Sequence, residues 1–187
     1  MKLISPLLPK KQKGAVLAIS LIILLLMTMI GVSAMQSTTL QEKMAGNLRD
    51  ANLAFQAAES GLRDTENYLF KIATLPSFTA SCGNGFCLPA LPSGTPQWKM
   101  KNTSNVSYWN DSTKLRNYGT GTGAADLPNV SRQPQTMIEE IVVPSIDLSE
   151  PTMRYRVTSQ GYGAASTTES GTVRPHARVM LQSIIRR

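Results

Sequence analysis

Histidine, cysteine and aromatic residues are all scarce in this chain, and their scarcity removes whole classes of function. One histidine, two cysteines and 6% aromatic residues are spread over 187 positions. There is no Cys-His-Asn set, no Gly-x-Ser-x-Gly elbow and no His-Glu-x-x-His helix, so hydrolysis lacks a base and a metal lacks ligands. His176 follows Pro175 and reads as an exposed loop residue. The adjacent acids Glu139 and Glu140 fall in a strand-like stretch, where neighbours point to opposite faces. They read as a solvated or edge pair rather than paired catalytic carboxylates. We expect no enzyme, no cofactor and no metal. Charge is also missing where it matters: no acid precedes Glu42, and no proline lies between Pro9 and Pro76.

The net charge of +7 invites a nucleic-acid reading, but its distribution argues against one. Lys2, Lys10, Lys11 and Lys13 stand in the first fourteen residues, and the fifteen basic residues beyond them nearly balance twelve acids. No basic face with interleaved aromatics is present, so nucleic acid is excluded as a partner.

What is present is a long apolar run. From Ala15 to Ala34 only Ser20, Thr28, Gly31 and Ser33 interrupt it, and no charge appears before Glu42. Twenty helical residues span about 30 Å, the hydrocarbon thickness of a bilayer. The hydroxyls are tolerated there because each can bond back to a carbonyl one turn earlier. Lys10-Lys11-Gln12-Lys13-Gly14 stands just before the run, and a basic flank holds that side in the cytoplasm. The rest of the chain is therefore expected to be exported. An ordinary secretory signal is the rival, with Val32-Ser33-Ala34 as the small-residue cleavage site, but the run is too long for one.

The helical pattern also continues past Ala34. Leu40, Met44, Leu48, Ala51, Phe55, Ala58 and Leu62 recur at three- and four-residue spacing, with Leu69 seven further on. That is one face of a helix. Glu42, Arg49, Asp50, Glu59, Arg63 and Glu66 occupy the other face, with Glu59 and Arg63 as a favourable pair. One helix over about 15–73 is expected, in a lipid-soluble half (15–38) and an amphipathic half (39–75). Gly31, Gly46 and Gly61 are costly within it, by about 1 kcal/mol each. They either admit close neighbours or let the helix loosen.

Residues 76–187 read as one domain. Cys82-Gly-Asn-Gly-Phe-Cys87 predicts a disulfide in an exported protein, since a zinc site would need two more ligands. The stretch from Pro76 to Pro134 reads as loop-rich, with a short strand near Val106–Trp109. Its glycine-rich Gly119–Ala125 has no preceding strand and no following Lys-Ser/Thr, so a surface loop is expected in place of a phosphate loop. Strands are expected near 135–143, 153–160 and 177–185, the last two paired antiparallel across a long polar loop from Gly161 to Pro175. A sheet with one apolar face and a helix with one apolar stripe can bury each other, giving an α+β domain.

The junction Lys10-Lys-Gln-Lys-Gly14 before Ala15-Val-Leu-Ala-Ile-Ser resembles a class III, or prepilin, signal. Gly31-Val-Ser-Ala-Met35, Thr39-Leu-Gln-Glu-Lys-Met-Ala-Gly-Asn-Leu-Arg-Asp50 and Ala54-Phe-Gln-Ala-Ala-Glu59 resemble the N-terminal region of the PilX family of minor pilins. Tyr155-Arg-Val-Thr-Ser-Gln-Gly and Val179-Met-Leu-Gln-Ser183 are similar to that family's C-terminal hairpin. Together these cover about half the chain, and Ser77–Gln133 has no match among them.

The resemblance implies a pilin-like fold and a part in type IV pilus assembly. Prepilin peptidase would cut after Gly14 on the cytoplasmic face, removing residues 1–14, and methylate the amine of Ala15. The subunit would sit in the inner membrane and then at the pilus tip, in a complex of minor pilins that starts growth. The inner-membrane assembly platform, the major pilin and a tip adhesin are the further partners implied. Most pilins carry a glutamate five residues into the mature chain, and Ile19 stands there in this one. That acid meets the cationic N-terminus of the subunit ahead, so its loss fits a leading subunit. The alternative is that the position has drifted. A tip pseudopilin of type II secretion is the nearest rival, though such subunits usually carry a larger head. A signal-anchored periplasmic enzyme or binding module is the rival from another class.

Overall fold

The computed structural model describes residues 14–90, 94–141, 153–169 and 171–187. Helix α1 runs Ala15–Lys71, uninterrupted by proline, and closes with the Ile72 N–H on the Tyr68 carbonyl at 3.1 Å. Two compact units share it, residues 1–46 and 47–187. In the first, the apolar side chains from Val16 to Met44 are exposed.

The second unit is built on a mixed, mostly antiparallel sheet. Strand β1 (Phe86–Cys87) runs parallel to β3 (Gln135–Ile141), and β2 (Arg116–Asn117) runs antiparallel to the other end of β3. On its far side β3 pairs antiparallel with β4 (Arg154–Tyr162), and β4 with the edge strand β7 (Arg178–Arg186). Between β4 and β7, strands β5 (Ser166–Glu169) and β6 (Thr172–Pro175) form a separate hairpin. The polar connection read as a loop is therefore itself β-structure. The sequence signal for these strands is weak, because Ser166–Glu169 and Thr172–Pro175 carry no apolar face. The expected end of β3 at Val143 lies outside the described residues.

Period-two alternation gives the sheet two different faces. Thr136, Ile138, Tyr155, Val157, Ser159 and Ile185 belong to the face that α1 covers. With Leu69 and Phe86, the four apolar members of that set form the first core cluster, edged by Leu62, Tyr68, Leu75 and Phe78. The other face carries Met137, which packs with Cys82, Cys87, Trp109 and Leu115 in a second cluster. The stretch from Pro76 to Pro134 is loop-rich as expected, with only 3-10 turns and two-residue strands among its described residues, yet it covers this second face of the sheet. Residues 106–109 are not a strand: 108–110 form a 3-10 turn, capped by Ser107, that seats Trp109 with its indole N–H on the Trp98 carbonyl at 2.9 Å.

The buried side of α1 differs from the expected stripe. Asp50, Ala54, Ala57, Ala58, Gly61, Asp64, Thr65 and Leu69 are buried. Leu40, Met44, Leu48 and Phe55 are 47–65% exposed. Backbone approach is the cause. A Cβ on Gly61 would strike the Ser159 hydroxyl, and one on Gly161 would strike the backbone of Ala54 and Ala58. Helix and sheet meet glycine to alanine, where a leucine would not fit, so Leu48 and Phe55 turn outward, whereas Leu40 and Met44 belong to the first unit. Gly31 and Gly46 have nothing within 4 Å.

Candidate functional site

The candidate region is the start of α1. Gly14 has φ +86°, a left-handed backbone that strains any residue with a Cβ, and Ala15 opens the helix directly after it. Lys10, Lys11 and Lys13 lie outside the described residues. The helix beyond has no charged side chain up to Gln41. Its polar atoms turn inward on the backbone: Ser20 donates to the Leu17 carbonyl at 2.9 Å and Thr28 to that of Leu25 at 2.8 Å. Thr38 and Thr39 both bond the Met35 carbonyl. From Ala15 to Val32 the surface offered outward is therefore largely hydrocarbon, and α1 is long and apolar enough to cross a membrane. Ile19 is 56% exposed within it.

The second unit is held by buried charge, which the sequence reading did not find. Asp64 and Arg116 form an ion pair at 2.7 Å with side chains 3% and 2% exposed. The Asp64 carboxylate also accepts from the Gly119 N–H at 3.1 Å and from the Thr122 hydroxyl. Arg116 donates to Thr65 and to the Thr120 carbonyl, and its guanidinium lies 4.6 Å from the Tyr68 ring centre. The glycine-rich loop thus wraps an internal carboxylate rather than a phosphate. Gly119, Gly121 and Gly123 have φ between +73° and +77°, and a Cβ on Gly121 would run into Tyr68. Only the glycine spacing hinted at this, since nothing nearby in sequence points to Asp64.

Asp50, expected on the solvent face, is buried and accepts from the Ala165 N–H at 2.9 Å, with Gly163 lying against its carboxylate. Glu139, expected at an edge, is 3% exposed on a strand paired on both sides. It accepts from Arg156 at 3.0 Å and from the Ala90 N–H at 3.1 Å, which offsets the cost of its burial. His176 is exposed, and Glu59 pairs with Arg63 on the outer side of α1. Cys82 and Cys87 are joined by a disulfide. Among the described residues, no group of three His, Cys, Asp or Glu is placed to hold a metal.

No curated protein and no solved structure matches the chain. Two family models do, one described as PilX N-terminal over residues 13–63 and one as type IV pilus assembly protein PilX C-term over residues 83–187. With a helix long enough to enter a membrane, an α+β second unit and both halves matched, the chain belongs to the PilX family of type IV pilus minor pilins.

Proposed function

We propose that this minor pilin works in the tip complex that primes type IV pilus growth. In this reading prepilin peptidase cuts between Gly14 and Ala15, guided by Lys10, Lys11 and Lys13, and the new amine of Ala15 is methylated. The helix from Ala15 then waits in the inner membrane, with the domain beyond it exported, until the assembly platform moves it into a filament with other minor pilins. The major pilin beneath and an adhesin above are further partners of a subunit in that position.

The observation that carries the reading is Ile19 in an exposed, wholly uncharged helix surface. A carboxylate at that depth meets the amine of the subunit ahead, and unpaired it costs about 2.5–3.5 kcal/mol in a membrane. A subunit with nothing ahead of it gains from an isoleucine there. The test is a deletion strain scored for surface pili with retraction active and with retraction blocked. Pili lost only while retraction works indicate a priming subunit. Normal pili in both backgrounds would remove the role.

A further inference from the structure

A concave site of about 400 Å³ lies at one end of the sheet, away from α1's covered face, lined by Arg132, Arg174, Arg178, Tyr162, Asn110 and Pro175 among others. That size suits a small ligand. The fold brings these residues together from β4, β6, β7, the turn at 108–110 and the segment just before β3. Tyr162 ends β4 and pairs in register with Arg178 at the start of β7, so both side chains emerge on the same face. The Ser131 N–H and hydroxyl both donate to the Gly163 carbonyl, at 2.8 and 2.6 Å, which fastens the next residue beside the end of β4. Arg132 then holds its guanidinium 5.4 Å from the Tyr162 ring centre. Arg174 enters from β6 and Asn110 from the turn that seats Trp109.

Among the described residues the charge on this rim is only partly compensated. Among the described residues Arg174 pairs with Glu169 at 3.2 Å, whereas Arg132 and Arg178 take part in none of the ion pairs. Burial raises the pKa of the Tyr162 hydroxyl, and a hydrogen bond from Arg132 with the positive charges of Arg132 and Arg178 opposes that rise. Tyr162 itself is fixed, its hydroxyl 3.1 Å from the side-chain carbonyls of both Gln135 and Gln160. A rigid aromatic wall, an amide and two planar guanidinium forks outside the ion pairs of the described residues, all lining one concavity, are the components of an oxyanion site.

We propose that this pocket binds a divalent oxyanion, namely phosphate either free or as a phosphomonoester. Arg132 and Arg178 neutralise it, Asn110 supplies an uncharged contact, and Arg174 is restrained by Glu169 at the rim. Two unpaired guanidiniums match the charge of about −1.5 to −2 that a phosphate group carries at neutral pH. A single carboxylate would leave one of them unmatched. The site is independent of the priming role, and its test does not involve pili.

The test is calorimetric titration of the full-length protein in neutral detergent, at constant ionic strength set with chloride. Inorganic phosphate, glycerol 3-phosphate and acetate are the probes. Saturable one-to-one binding of phosphate is expected, with acetate weaker by at least about tenfold. Glycerol 3-phosphate binding alongside phosphate shows that the site takes an esterified group, and phosphate binding alone identifies the free ion as its ligand. Arg132→Gln and Arg178→Gln are each expected to weaken phosphate binding by about tenfold or more, the usual loss of a charge-assisted contact. Arg63→Gln, on the exposed side of α1, should leave it unchanged. Glu169→Gln releases Arg174 and should tighten binding, which keeps the test decisive if an arginine variant folds poorly. No saturable phosphate binding, acetate binding as strong as phosphate, or unchanged affinity in both arginine variants overturns the proposal.

Discussion

Removing the Asp64 carboxylate should be among the most damaging changes available outside the apolar core. The ion pair with Arg116 is almost fully dry, with side chains 3% and 2% exposed, and Asp64 also receives the Gly119 N–H and the Thr122 hydroxyl. Asp64→Ala leaves a buried guanidinium without its counter-charge and two further donors without their acceptor. Breaking a buried pair from one side costs about 3–5 kcal/mol. A domain of this size is stable by only about 5–15 kcal/mol, so the loss is a large share of the total. Trp109, buried in the second core cluster, and Trp98 beside it provide a fluorescence probe of urea unfolding. Asp64→Ala should lower the unfolding free energy by that amount, seen as a urea midpoint lowered by that loss divided by the m-value, and Asp64→Asn, which keeps an acceptor, by less. Removing both partners in Asp64→Ala/Arg116→Met should cost less than the two single changes together, with a coupling above about 1 kcal/mol. A loss below about 1 kcal/mol for Asp64→Ala, or strict additivity in the cycle, would show that the pair does not hold this unit together.

Further predictions follow from contacts elsewhere. Gly161→Ala places a Cβ on the backbone of Ala54 and Ala58 and should destabilise by about 1–3 kcal/mol in urea unfolding, whereas Gly46→Ala, with open space around it, should raise helix content. Reducing the Cys82–Cys87 disulfide should cost no more than about 2 kcal/mol, because the loop it closes is short, and the same titration with reductant measures it. Burial raises the pKa of Tyr162 and of Tyr155, which favours the protonated phenol in the folded state. That stability is complete below the unfolded value of about 10 and is lost as pH rises through it towards the folded value. Unfolding at pH 8 and 10.5 should show a steep fall in the parent chain and a shallower one in Tyr162→Phe. Ile19→Glu should bring no gain in piliation for a leading subunit. Equal or better piliation, with the variant found at many points along the shaft, would count against that position.

The broad architecture was legible because its signals are long. A run of apolar residues without charge, helical spacing out to Leu69 and the alternation of Tyr155 and Val157 all survive in the folded chain. Which side of α1 is buried was not legible. Hydropathy weights Leu48 and Phe55 above Ala54 and Gly61, yet the close approach at Gly61 and Gly161 admits only small residues. Burial of Asp50, Asp64 and Glu139 was hidden for a related reason. Their partners, Ala165, Arg116 and Arg156, are distant in sequence, so each carboxylate looks solvated until the fold brings its donor. Residues 76–134 looked loose because their apolar residues are spaced without a period. Packed against the second face of the sheet, Trp109, Leu115 and the disulfide supply a core of their own.

Cleavage after Gly14 would leave a pilin subunit whose helix begins at its own N-terminus, Ala15. Intact-mass measurement of the protein recovered from its native membrane tests this most directly. A chain that begins at Ala15 and carries one added methyl group is expected. An uncut chain, or one that begins at Met35 as simple secretion would leave it, would contradict it.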